Sequence, residues 1–143
     1  MKYFDKLSAD VESAFGCRGV NTESLKYCVK ADLDGEGCYY DVYIAFDSEN
    51  LYMLSGYDRL KKKGKHYDVG FDFNEFAESP VKDIERLSVD RYTYTSRLMA
   101  RFADGREMPL ARFSAGYGEK FEQFCRRFEC LKKGETPDDS SLE

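Results

Sequence analysis

The sequence predicts an α+β fold: an antiparallel β-barrel or sandwich of about seven strands, an extra helix before it and an amphipathic capping helix at its C-terminal end. Three observations carry this expectation. Hydrophobicity alternates with period two through the middle of the chain, Asp/Gly/Asn turns interrupt the alternation at short intervals, and the period becomes helical at both ends. A length of 143 residues suits a single core.

At the start, Phe4, Leu7, Val11, Ala14 and Phe15 recur at three- and four-residue steps until Gly16. That spacing predicts a helix, and its narrow apolar stripe predicts packing on the surface of the domain. Leu25, Tyr27, Val29, Ala31 and Leu33 then alternate with Lys26, Cys28, Lys30 and Asp32, the pattern of a half-buried strand. The turn Asp34-Gly35-Glu36-Gly37 leads to a strand through Tyr40, Val42, Ile44 and Phe46, and the turn Asp47-Ser48-Glu49-Asn50 to another over Leu51 to Ser55. Gly56 to His66 reads as a polar, basic connection. Alternation resumes at Tyr67, Val69, Phe71 and Phe73.

Beyond Pro80, strands are expected over Ile84 to Tyr94, Ser96 to Phe102 and Met108 to Phe113, with Asp104-Gly105 turning the last hairpin. The final helix sets Tyr117, Phe121, Phe124, Cys125, Phe128 and Leu131 on one face. Glu119, Lys120, Glu122, Arg126 and Arg127 are expected outside, with Glu122 four residues before Arg126 as an ion pair. Residues 1–24 thus form a helix and linker, 25–133 the main domain, and 134–143 a polar tail without a fold. Leu142-Glu143 resembles the remnant of a cloning site.

Composition narrows the function. A net charge of −5 disfavours nucleic acid, whose binding rests on Lys and Arg against phosphates. Five cysteines (Cys17, Cys28, Cys38, Cys125, Cys130), no signal-like apolar run and no stretch of ~20 apolar residues point to reduced thiols in the cytoplasm. No cofactor or metal is expected. There is no G-x-x-x-x-G-K-[ST] loop, and Cys125 and Cys130 are spaced about 140° from alignment on a helix. Nor are catalytic residues expected: the only histidine, His66, borders the basic segment, and the carboxylates of Glu36, Asp138 and Asp139 lie in a turn and the tail. One cluster could bind something. Arg59, Lys61, Lys62, Lys63 and Lys65 place five positive charges in seven residues, suited either to weak contact with an anionic membrane or to a solvated hairpin tip.

About seven strands closed by one helix is the element order of a pleckstrin-homology-like (PH-like) domain. Val81-Lys82-Asp83-Ile84-Glu85-Arg86-Leu87-Ser88-Val89 and the segment Phe102 to Ser114, a D-G hairpin running into Leu110-Ala111-Arg112-Phe113-Ser114, resemble bacterial PH-like domains. More narrowly, Leu25 to Pro137, ending in Lys133-Gly134-Glu135-Thr136-Pro137, resembles the N-terminal cytoplasmic domain of Firmicute ABC exporters. That resemblance implies a regulatory or protein-binding module at the inner face of a membrane, whose partner is the remainder of a larger ATP-binding protein. A stand-alone PH-like domain binding a lipid surface or peptide is the other reading. Many phosphoinositide-binding PH domains carry basic residues in the first strand-to-strand turn, which here is the acidic Asp34 to Gly37.

Overall fold

In the computed structural model, residues 5–134 are described, apart from the side chains of residues 61, 63, 68 and 69. The element order is α1 (Ala9–Gly16), β1 (Tyr27–Ala31), β2 (Leu33–Asp34), β3 (Asp41–Phe46), β4 (Asn50–Lys63), β5 (His66–Pro80), β6 (Ile84–Arg91), β7 (Thr95–Phe102), β8 (Glu107–Ser114) and α2 (Gly118–Lys133). The strands form two four-stranded antiparallel sheets, ordered β1-β3-β4-β5 and β2-β8-β7-β6. Eight strands appear instead of about seven because the expected strand over 25–33 breaks at Asp32. Its first part pairs with β3 and its last two residues with β8, so one bent segment serves both sheets. At the other corner β5 passes to β6 through a 3-10 turn at Val81–Asp83 without pairing, and the sheets do not close into a barrel.

The main core lies between the sheets and α2. Val29, Ile44 and Phe46 come from one sheet, Ile84, Leu98 and Phe113 from the other, and Phe121, Phe124 and Phe128 from the helix. The Phe113 and Phe121 rings stack at 3.8 Å, and Lys132 at the end of the helix donates to the Val81 and Ile84 carbonyls, tying α2 to the open corner. Fully burying a Phe side chain is worth roughly 1.5–3 kcal/mol, so these rings weigh heavily in the stability of the fold.

Three helical expectations are corrected. First, α1 begins only after Ser8, whose hydroxyl accepts the Val11 N–H at 3.3 Å as an N-cap. Asp5 instead runs beside β1, donating its N–H to the Cys28 carbonyl and accepting the Lys30 N–H at 2.7 Å; Phe4 lies outside the described residues. As its stripe predicts, α1 lies outside the main core, yet it is not merely laid on the surface. Its fully buried Val11 and Phe15 join Leu25, Cys28, Tyr43, Ala45 and Leu54 in a second core on the outer face of the first sheet. The strand expected to be half-buried therefore has both faces covered, Cys28 in one core and Val29 in the other.

Second, Tyr117 precedes α2 in a 3-10 turn and is exposed, while Arg127 is buried, its guanidinium 5.5 Å from the Tyr27 ring centre. Third, Glu122 meets Arg91 of β6 at 2.9 Å, and Arg126 lies against Gln123. A cross-element partner with a matching fork outcompetes the local helical neighbour.

Candidate interaction surface

The segment expected to be a connection, Gly56 to His66, is strand. Pairing with β3 ends at Asp41 opposite Gly56, yet β4 and β5 stay paired as far as Lys63 opposite His66. The two-residue loop Gly64-Lys65 closes this hairpin; Gly64 has φ 64° and no non-glycine residue among the described residues has positive φ, the combination a type II′ turn uses. Among the described residues no third strand pairs with the ribbon. Past the Asp58–Phe71 pair five more residue pairs continue, about 17 Å of ribbon at ~3.3 Å per residue.

A two-stranded ribbon is marginal alone, so its base needs support. At the bulge between Ser55 and Gly56, the Asp72 carbonyl comes so near that a Cβ on Gly56 would sit 2.2 Å from its oxygen. Further out, Asp58 accepts the Tyr43 hydroxyl at 2.7 Å and pairs with Lys30 at 2.6 Å, while its N–H donates to Asp41 at 2.8 Å. Burial opposes the charge on Lys30, but the hydrogen bonds and charges of Asp58 and Asp41 outweigh it and raise its pKa. The Tyr43 hydroxyl is also raised, first by burial and then by Asp58. Both groups hold their protons more tightly than usual, which suits a brace better than proton transfer near neutral pH. On one face α1 and the turn after it add cover: Asp10 of α1 accepts the Phe71 N–H at 3.3 Å, and the Arg18 guanidinium, from the turn, lies 3.3 Å over the Phe73 ring.

The basic residues sit on this ribbon. Arg59, Lys61, Lys62 and Lys63 belong to β4, and Lys65 is in the turn. Arg59 pairs with Asp72 at 3.3 Å; Lys62, Lys65 and His66 are exposed. Residues 59–67 contain five cations and no acid in a chain of net charge −5, leaving −10 on the remainder. Sequence reasoning missed what stands among these charges. Leu60, Lys62 and Tyr67 share a face, since Lys62 is directly opposite Tyr67 and Leu60 is two residues before Lys62. Leu60 is 71% exposed and Tyr67 64%.

A second feature is a cleft of about 580 Å³ at the end of β3 opposite Phe46, with Val42, Met53 and Leu110 on its floor and Glu36, Tyr40 and Glu75 around it. The Asp34 carboxylate there is engaged by its own turn, accepting the Glu36 and Cys38 N–H groups. All five cysteines are free, and no group of three or more potential metal ligands occurs among the described residues. Desolvation raises the pKa of Cys28 and pushes that of Cys125 up to about 12, making both poor thiolates. No described helix is long and apolar enough to cross a membrane. Asp138 and Asp139 lie outside the described residues. No family model, curated protein or solved structure matches the chain.

Proposed function

We propose that this chain is a non-catalytic interaction and regulatory domain with a PH-like fold, the N-terminal cytoplasmic module of a larger ABC-type exporter, and that the β4–β5 ribbon is its contact arm. The ribbon carries this reading. It stands clear of both sheets, its tip is opposite in charge to the rest of the chain, and its base is braced by a partly buried ionic network. The PH-like part is supported by the bent β1–β2 segment serving both sheets and by α2 filling the core between them.

Two measurements test it. A photo-crosslinker at position 62 should capture a partner in cells, while one at exposed Glu85 on β6 should not; equal capture at both positions would sink the contact-arm reading. An antibody against this domain should detect a membrane-fraction band far above 16.6 kDa. A band at that mass alone would favour the second reading, a stand-alone PH-like domain on a lipid surface or peptide, for which the exposed Leu60 and Tyr67 also speak.

A further inference from the structure

We propose that the ribbon tip is an amphipathic wedge that seats in the headgroup region of an anionic bilayer, with Leu60 and Tyr67 entering the interface and Lys62 and Lys65 holding lipid phosphates. The inference rests on the contact-arm reading and names its partner.

A ribbon that only kept itself soluble would carry polar residues on both faces of its tip. Here one face runs from Phe73, under the Arg18 guanidinium, and Phe71, packed against the α1 core, to the exposed Leu60 and Tyr67 at the end, so the apolar stripe continues where that cover stops. Tyrosine suits such a boundary because its ring is apolar and its hydroxyl remains wet. The adjacent lysines can lay their stems along the apolar stripe and reach outward with their ammonium groups. Charge sets the orientation. The ribbon beyond the Asp58–Phe71 pair carries five cations and one acid, Asp68, a net +4 against −9 on the remainder, so an anionic surface attracts the tip and repels the rest. Duplex nucleic acid offers the same attraction without a place for Leu60.

The chain has no tryptophan, which makes the test direct. In the full chain Leu60→Trp places one indole at the tip, and the folded state is checked by its thermal melt. With vesicles of phosphatidylcholine and 30% phosphatidylserine, the indole emission should shift to the blue and be quenched by brominated acyl chains. Pure phosphatidylcholine should give no shift, and 1 M salt, which shortens the screening length to about 3 Å, should abolish it. In a Leu60→Trp background, Lys62→Gln with Lys65→Gln should weaken partitioning about tenfold or more. On otherwise unaltered protein, Leu60→Ser with Tyr67→Ser should weaken co-sedimentation several-fold.

Binding to anionic vesicles without a blue shift overturns the wedge and leaves an electrostatic contact. Equal or tighter binding to a DNA duplex at the same salt overturns the choice of lipid. No vesicle binding even at low salt overturns the inference; if position 62 still captures a protein in cells, the contact-arm reading survives, and if it captures nothing, both fail.

Discussion

The Phe124 and Phe46 rings meet in an edge-to-face arrangement at a centroid distance of 5.1 Å and an interplanar angle of 63°, and Phe128 approaches Phe46 from the next turn at 5.3 Å. One residue at the end of β3 thus receives two rings from α2, and this contact joins the helix to the first sheet. Phe124→Ala removes a ring only 3% exposed, and a core truncation of that kind costs about 3–5 kcal/mol. Chemical denaturation that found a loss below about 1 kcal/mol would mean α2 is not part of the core.

Gly56 is the point at which the ribbon leaves the sheet. An added Cβ there would lie 2.2 Å from the Asp72 carbonyl oxygen and 2.5 Å from the Phe71 ring, and backbone cannot yield as a side-chain tip can. Gly56→Ala should therefore destabilise the domain by about 1–3 kcal/mol. It should also speed amide exchange in residues 57–72 more than in β7, and uniform exchange across both regions would argue against a hinge at the bulge.

The brace of Lys30, Tyr43 and Asp58 predicts a loss of stability in alkali. Lys30 and Tyr43 both have raised pKa values in the folded state, so the folded chain binds their protons more tightly than the unfolded chain. Their contribution is complete below the unfolded values, about 10.4 for Lys and 10 for Tyr, and declines as pH rises past them. Denaturation at a series of pH values should show stability falling above about pH 10, with a shallower fall in Tyr43→Phe. At neutral pH that variant should lose about 1.5–3 kcal/mol, the worth of a hydrogen bond to a charged group. A variant with the wild-type alkaline slope would remove Tyr43 from the account.

Thiol chemistry should sort the cysteines by place. Cys17 and Cys38 are exposed, Cys28 is fully buried, and the Cys125 thiol is pushed up to about 12 by burial. A disulfide reagent at pH 8 should titrate Cys17 and Cys38 rapidly, with Cys28 and Cys125 reacting only as the protein unfolds. Native mass measurement should give the reduced, metal-free mass. One stoichiometric zinc would overturn the reading of these residues as structural thiols.

Several features were legible in the sequence because their causes are local. Turn chemistry fixed the Asp47–Asn50 turn, where the Asp47 carboxylate accepts the Glu49 and Asn50 N–H groups, and the Asp104-Gly105 hairpin joining β7 to β8. Spacing alone also selected the Phe121, Phe124 and Phe128 face of α2. Two misreadings had usable signals. Arg127 is three residues after Phe124, on the buried face, although its charge suggests the outside. The Gly64-Lys65 pair has the Gly-X form of a two-residue hairpin loop.

By itself, then, the sequence determined the α+β class, most strand positions, the closing helix and a cluster of cations, since period and turn propensity are set by neighbouring residues. Tertiary structure decided what those elements face. It placed α1 over the outer side of the first sheet, divided one strand between two sheets, turned Glu122 from Arg126 to Arg91, and carried β4 and β5 beyond every other strand. In the ribbon only β5 shows hydrophobic alternation, at Tyr67, Val69, Phe71 and Phe73, while the β4 half is dominated by cations and hides its pairing from a reading of the sequence. Only pairing in space shows that Leu60 stands beside Lys62 and Tyr67.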